Sequence, residues 1–445
     1  MPEHPASPRS TAGTSTGTST GTTGSTTPDV AIVSLYPRLG SRHDGDSGVA
    51  SYTANLAHAL ADAGLAVCVV APVLEGEPAV GHDGPVEVRR AFTSGRPAAV
   101  RDALAAARAT GAAQVHLQFE LFLYHGASGL PVTVAALAHH RRAGAPLTLT
   151  MHQVVDPAKV TAEYTRMHRI GVPPVAARAA IAGVQRALPR LASTTIVHEP
   201  AFERLVPGAV VVPHGIEVPE PGSREGARER LGVTGDALVA MSFGFVAPYK
   251  GLETVLTAAT MTQEDVQVVV AGGTHPRLAA QGDDYEERLI ATYGHRARFT
   301  GFVPDADVAD WFRAADVLCL NYPEPHASSG PLALALAHRT PMVLSPRLAE
   351  VIGVPALSVG GRGEAADWAA RLDALAADGG ALAALRGRTD ALAADRTWPA
   401  VARRHAALYE AVDDAALPAP TAPAAPESQE VTDERSTDPA DHAVA

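Results

Sequence analysis

The stretch Met241–Ala259, "MSFGFVAPYKGLETVLTAA", holds three kinds of chain in nineteen residues. An apolar run ends at Phe243, Gly244 and Pro248 break it, and Lys250-Gly251 leads into an apolar helical segment. This is a strand, a loop and a helix in succession, the repeating unit of a sheet covered by helices. Similar runs recur along the chain. Strands are expected at "VAIVSLY", "AVCVVAP", "QVHLQF", "LTLTMH", "TTIVH" and "AVVVP" in the first half. In the second half they are expected at "LVAMSFGF", "VQVVVAG", "ARFTGF", "DVLCLNY", "PMVLS" and "ALSV". Continuous apolar strands with a helix between most pairs indicate parallel sheets buried on both faces.

Twelve strands exceed one compact sheet, and "PHGIEVPEPGSREGARERLGVTGD" supplies a polar, Pro/Gly-rich break. The expected class is therefore α/β, with two doubly wound, Rossmann-like parallel-sheet domains facing a cleft. The expected boundaries are 29–214 and 236–396, with a linker at 215–235. An amphipathic segment, "TWPAVARRHAALYEAV", closes the fold as a helix over 397–414. Residues 1–28 are nearly all Ser, Thr, Gly and Pro, and 415–445 are rich in Pro, Ala and acids, so both are expected to be disordered tails.

The chain has 445 residues, 46% hydrophobic and 19% charged, with a formal net charge of -12. Such acidity argues against nucleic acid or an anionic membrane surface as the main partner. The two cysteines, Cys68 and Cys319, each sit in an apolar run and read as small core residues. No apolar run is long enough to span a bilayer, and the first 28 residues lack the apolar centre of an export signal, so a cytoplasmic protein without an integral membrane segment is expected.

Candidate chemistry lies where strands give way to loops. Lys250, at the mouth of a strand-loop-helix unit, is placed to meet an anion beside a helix N-terminus; the bland alternative is a solvated lysine. Ser328, Ser329 and Gly330 precede "PLALALAHR", where serines cap the helix, Pro331 suits its first turn, and small side chains admit a ligand to the backbone N–H groups. Histidines follow three strands: His152 in "LTLTMHQVVDP", His214 in "VVVPHGIEVP" and His275 in "VQVVVAGGTHPRL". No HxxxH pair or His/Cys/carboxylate cluster argues for a metal. Asp46, Ser47 and Gly48 form a glycine loop ahead of the first long helix, without the remaining spacing of a calcium loop. No G-x-G-x-x-G follows the first strand, which weakens a dinucleotide reading.

In order along the chain, "SGVASYTANLAHALADAGLAVCVVAP", "VHLQFELFLYHG", "LTLTMHQV", "VVVPHGIE", "FGFVAPYKGLETVLTAA", "RFTGFVPDADVADWFRAADVLCLNYPE" and "SSGPLALALAHRTPMVLSP" resemble glycosyltransferase family 4, the retaining group-1 transferases of the GT-B fold. The resemblance implies a metal-independent hexosyltransferase. It would take a nucleotide-diphosphate sugar as co-substrate on the second domain, with no other cofactor, and a hydroxyl acceptor (a saccharide or small molecule) on the first. It implies that Lys250 and Gly244 contact the donor diphosphate and that the helix start at Ser328, Ser329 and Gly330 faces the distal phosphate. His152 would lie by the donor sugar as a catalytic residue with Lys250, and Gly48 and Glu120 on the acceptor side.

Two departures stand out. Phe245 occupies the place of an arginine common before the lysine, and His326 and Leu334 occupy the places of a glutamate pair. Glu324 and His326 are then the expected substitutes for the first of these glutamates. The same residues also suit a sugar-nucleotide epimerase or hydrolase, or a non-catalytic nucleotide-sugar-binding partner.

Overall fold

The computed structural model describes residues 27–41, 48–121, 123–124, 129–167, 170–274, 282–323 and 329–416. The tails, apart from 27, 28, 415 and 416, lie outside the described residues, as do Asp46, Ser47, His275, Glu324, His326 and Ser328.

Two sheets organise the chain. The first holds β1 (Val30–Val33), β2 (Val67–Pro72), β3 (Val80–Asp83), β4 (Val86–Phe92), β5 (Gln114–Phe119), β6 (Leu147–Met151), β7 (Thr194–Val197) and β8 (Val210–Val211), in the order β3-β4-β2-β1-β5-β6-β7-β8. The second holds β9 (Leu238–Phe243), β10 (Val266–Ala271), β11 (Ala297–Phe299), β12 (Val317–Leu320) and β13 (Met342–Leu344), in the order β11-β10-β9-β12-β13. All pairings are parallel except β3 with β4. The fold is thus α/β with two doubly wound sheets.

Burial on both faces explains the continuous apolar strands. Along β1, Ala31 and Val33 enter one core while Val30 and Ile32 enter another, because successive side chains point to opposite faces. The second of these cores is closed by the helix Trp398–Ala416, which returns to the first sheet and contributes Trp398, Val401, Ala402 and Tyr409. Cys68 and Cys319 are buried and free, on β2 and β12. Among the described residues no helix is long and apolar enough to cross a membrane.

Three expectations need correction. "VGHD" and "VEVRRAF" form a hairpin at the sheet edge that the apolar-run reading passed over; its residues alternate in exposure rather than being continuously buried. "ALSV" is not a strand: Pro355–Leu357 is a 3-10 turn, and only Ser358 bridges to Leu344. Part of the linker at 215–235 is the helix Arg224–Leu231, capped by Ser223 and ended by Gly232 in the left-handed region. That helix is tied to Asp316, just ahead of β12, and to the helix Asp305–Ala314. Arg228 pairs with Asp316 at 2.6 Å, Arg230 grips Asp310 through two bonds of 2.6 and 2.7 Å, and Arg224 also pairs with Asp316.

Two crossovers join the halves side by side, Ile216 bridging to Thr397 and its N–H donating to the Arg396 carbonyl at 2.7 Å. Gly215 is required there, since a Cβ would stand 2.4 Å from the Trp398 indole.

Candidate active site

The chain reverses direction across the second sheet between β9 and β12, the switch point at which ligands settle in open α/β sheets. Lys250 follows β9 and Gly330 follows β12. The corresponding point in the first sheet lies between β1 and β5, and Gly48 and Glu120 follow these two strands.

Lys250 ends a short 3-10 turn, Pro248–Lys250, and is only 6% exposed. Its Nζ donates to the Phe243 carbonyl at 2.9 Å, and no other partner stands within reach among the described residues. Burial pushes the amine down to about 8, since desolvation disfavours the charged form. Gly251 holds φ +58, and a Cβ there would meet the Asn321 carbonyl at 2.7 Å. Asn321 returns a bond from Nδ2 to the Gly251 carbonyl at 2.8 Å, fixing the loop after β9 to the loop after β12.

The helix Gly330–His338 starts beside this lysine. A Cβ built on Gly244 would lie 2.6 Å from Lys250 Nζ and 3.5 Å from Pro331 Cγ, so amine and helix start share one small space. Ser329 caps the helix by accepting from Leu332 N–H at 3.3 Å and donates to the Tyr322 hydroxyl at 3.2 Å. Such a cap stabilises a helix by about 1 kcal/mol. Gly330 has open space where a Cβ would be. A cation and a helix N-terminus bordering the same space form an anion cradle.

On the first sheet, His152 follows β6 and both its ring nitrogens are engaged. Nδ1 lies 3.2 Å from His198 Nε2, and Nε2 lies 2.7 Å from Gln118 Oε1. His198 Nδ1 must donate to the Val212 carbonyl, 2.9 Å away, so its Nε2 accepts from His152 Nδ1–H. A neutral His152 then needs a donor at its Nε2, which the Gln118 amide supplies by turning its NH₂ to the ring. Gln118 continues to His116, and His116 to the Tyr409 hydroxyl at 2.7 Å. Tyr52 packs against His152, His198, His214 and Trp398 with ring centroids 4.7 to 5.2 Å away. Burial and neighbouring imidazoles hold His152 well below its usual range, and burial takes His198 down to about 3. His152 is a fixed neutral ring in this setting.

Glu120 is half-buried, and burial raises its carboxyl. Gly48 is exposed and starts the helix Gly48–Asp62, with nothing near a built Cβ. The expected residues therefore fall in two groups. Lys250, Gly244, Ser329 and Gly330 come together, while His152, Gly48 and Glu120 belong to the facing sheet. Phe245, at the place of the family's arginine, is 40% exposed.

A cavity beside the helix start is lined by Ser329 and Gly330 together with Glu199, His214 and Ile216, and by Arg396 at the crossover. Sequence reasoning passed over Glu199, Arg396, His198 and Gln118. Glu199 and Arg396 are 197 positions apart and meet only through the fold. The polar pair His198-Glu199 at the end of β7 was the available signal for the first. Among the described residues no group of His, Cys, Asp or Glu is arranged to hold a metal ion.

Two doubly wound, mainly parallel sheets joined by two crossovers are the architecture of the GT-B class of fold. Two family models match this chain: Glycosyltransferase Family 4 over residues 47–218 and Glycosyl transferases group 1 over residues 237–378. The D-inositol 3-phosphate glycosyltransferase of Geodermatophilus obscurus is 35% identical over 184 residues, which is 38% of this chain and 40% of that protein. Its counterpart in Kribbella flavida is 33% identical over 178 residues, 37% of this chain and 41% of that one. The chain thus spans about two fifths of the length of the curated relatives it matches.

Among solved structures, Anabaena HepE in complex with UDP aligns with TM-score 0.59 at 16% identity, covering 86% of this chain and 100% of that one. Sucrose-phosphate synthase of Thermosynechococcus elongatus aligns with TM-score 0.59 at 19% identity, covering 87% and 99%. The chain belongs to the group 1, family 4 glycosyltransferases and has the GT-B fold.

Proposed function

We propose that the protein moves a hexosyl group from a nucleotide-diphosphate sugar to a hydroxyl acceptor with retention of configuration and without a metal. The observation that carries this reading is the shared space between Lys250 Nζ and the start of the helix Gly330–His338 at the β9/β12 switch point. On this reading residues 236–396 hold the donor, 29–214 the acceptor, and the helix over 397–414 ties the two together.

The chemistry follows from charge. Breaking the bond from the sugar's anomeric carbon to the diphosphate oxygen leaves negative charge on the diphosphate. A fixed cation and backbone N–H donors stabilise that charge without having to reorganise. The acceptor oxygen bonds to the same carbon on the face the diphosphate leaves, and the hydroxyl proton passes to a diphosphate oxygen. No separate base is needed, in keeping with a His152 whose two ring nitrogens are already engaged. Closure of the cleft aligns the reactants and excludes water. Two free buried cysteines suit a reducing, cytoplasmic setting.

UDP-glucose is the first donor to try, since HepE was solved with it, followed by the GDP, ADP and dTDP sugars. Release of nucleoside diphosphate that depends on an added hydroxyl acceptor, with a hexosylated product by mass spectrometry, supports the proposal. Acceptor-independent release points to a hydrolase, an altered sugar nucleotide to an epimerase, and binding with no turnover across the acceptor panel to a non-catalytic partner.

A further inference from the structure

Glu199 lies two residues beyond β7, just before the short helix Pro200–Glu203, and lines the cavity together with the helix start at Ser329 and Gly330, although its side chain is 1% exposed. Its Oε2 accepts from Arg396 Nη2 at 3.4 Å, and that guanidinium is itself 6% exposed. Its other oxygen, Oε1, has no hydrogen-bond partner among the described residues. An unpaired buried carboxylate oxygen is costly, so its persistence calls for an occupant.

The surroundings define that occupant. A second anion beside Glu199 would be repelled, so the diphosphate itself is the wrong ligand for this oxygen. A neutral hydroxyl donates the bond Oε1 lacks. Ile216, Leu332 and Ala333, which also line the cavity, suit the C–H faces of a sugar ring. Ser329 and Gly330 line the same cavity, so a group attached to a phosphate at the helix start enters it directly.

We propose that Glu199, held by Arg396, receives a hydroxyl of the donor's hexosyl group and helps set which sugar is taken. This rests on the donor site proposed above and goes beyond it by assigning a sugar contact.

The test compares two ligands on the full chain by calorimetry. One is whichever of UDP, GDP, ADP and dTDP binds the wild type best; the other is its hexosyl derivative. Glu199→Gln is expected to leave the nucleoside diphosphate affinity within about twofold and to weaken the hexosyl derivative about tenfold or more, the scale of one charged hydrogen bond. Because Glu199→Gln leaves Arg396 unpaired and could unfold the chain, Glu199→Gln/Arg396→Met is measured beside it, with the same selective loss expected. An unchanged ratio of the two affinities overturns the proposal. So does an equal loss for both ligands with a lowered melting temperature, which marks the pair as a structural latch. If the wild type binds none of the four diphosphates, the donor site itself is refuted, a result distinct from a wild type that binds and a variant that does not discriminate.

Discussion

Gly244 makes room for the amine of Lys250: a Cβ on the glycine, whose φ is +95, would stand 2.6 Å from Nζ. Gly244→Ala therefore strains the backbone by roughly 1–3 kcal/mol and pushes the amine off the Phe243 carbonyl. The expected outcome is a modest fall in melting temperature and a loss of diphosphate affinity of about tenfold or more, read by calorimetry. Unchanged affinity would separate the glycine from the site.

Gly330→Ala gives the opposite balance. Nothing lies within 4 Å of a Cβ built there, so the free protein should keep its melting temperature. The methyl group would nevertheless occupy the approach to the helix N–H groups, and nucleoside diphosphate binding should weaken by about tenfold. Equal binding would mean that the small residue serves the fold alone.

The depressed lysine gives diphosphate binding a pH dependence. Lys250 is brought to about 8 in the free protein, and an adjacent anion raises it again. Between about pH 7 and 8 the amine is mostly charged and the diphosphate, whose terminal phosphate ionises at about pH 6, is also charged, so the affinity should change little. Above that range, binding must take up a proton and should weaken as pH rises. Calorimetry in buffers of different ionisation enthalpy should register proton uptake near pH 9 that fades toward about pH 7.5, and Lys250→Met should abolish the uptake at pH 9.

The buried imidazoles set the behaviour in acid. Burial lowers His116, His152, His198, His214 and His405, with His198 at about 3 and His405 at about 4, against an ordinary value of 6.5. The unfolded chain then binds more protons than the folded one as pH drops below 6.5, so stability falls from there toward pH 4. His198→Asn should flatten this fall in melting temperature. An equally steep fall would remove His198 from the account.

Much of this architecture is legible in the sequence, and the exceptions have physical causes. Strands buried on both faces announce themselves as apolar runs, as in "LVAMSF" over β9. The β3/β4 hairpin carries a different signal, alternation around Asp83-Gly84 with Gly84 at φ +58, which a search for continuous runs does not detect. The helix Arg224–Leu231 was signalled by Ser223 before it and Gly232 after it, but its polar surface matched a linker, because it is held to its neighbours largely by arginine–aspartate pairs. Lys250 could be read from its place after a strand. His152 could be read in the same way, and Glu199 had a signal in the polar pair at the end of β7, but the pairing of Glu199 with Arg396 and of His152 with Gln118 and His198 could not, because each set is assembled from distant segments.

The most direct measurement of the central claim is the affinity of Lys250→Met for the best-bound of UDP, GDP, ADP and dTDP, beside its ligand-free melting temperature. Methionine keeps the bulk and removes a charge that burial disfavours, so the ligand-free variant should be at least as stable as the wild type at pH 7. Its diphosphate affinity should fall by about tenfold to a hundredfold, as loss of a buried charged contact requires. A stable Lys250→Met protein that binds the diphosphate as tightly as the wild type would contradict the account.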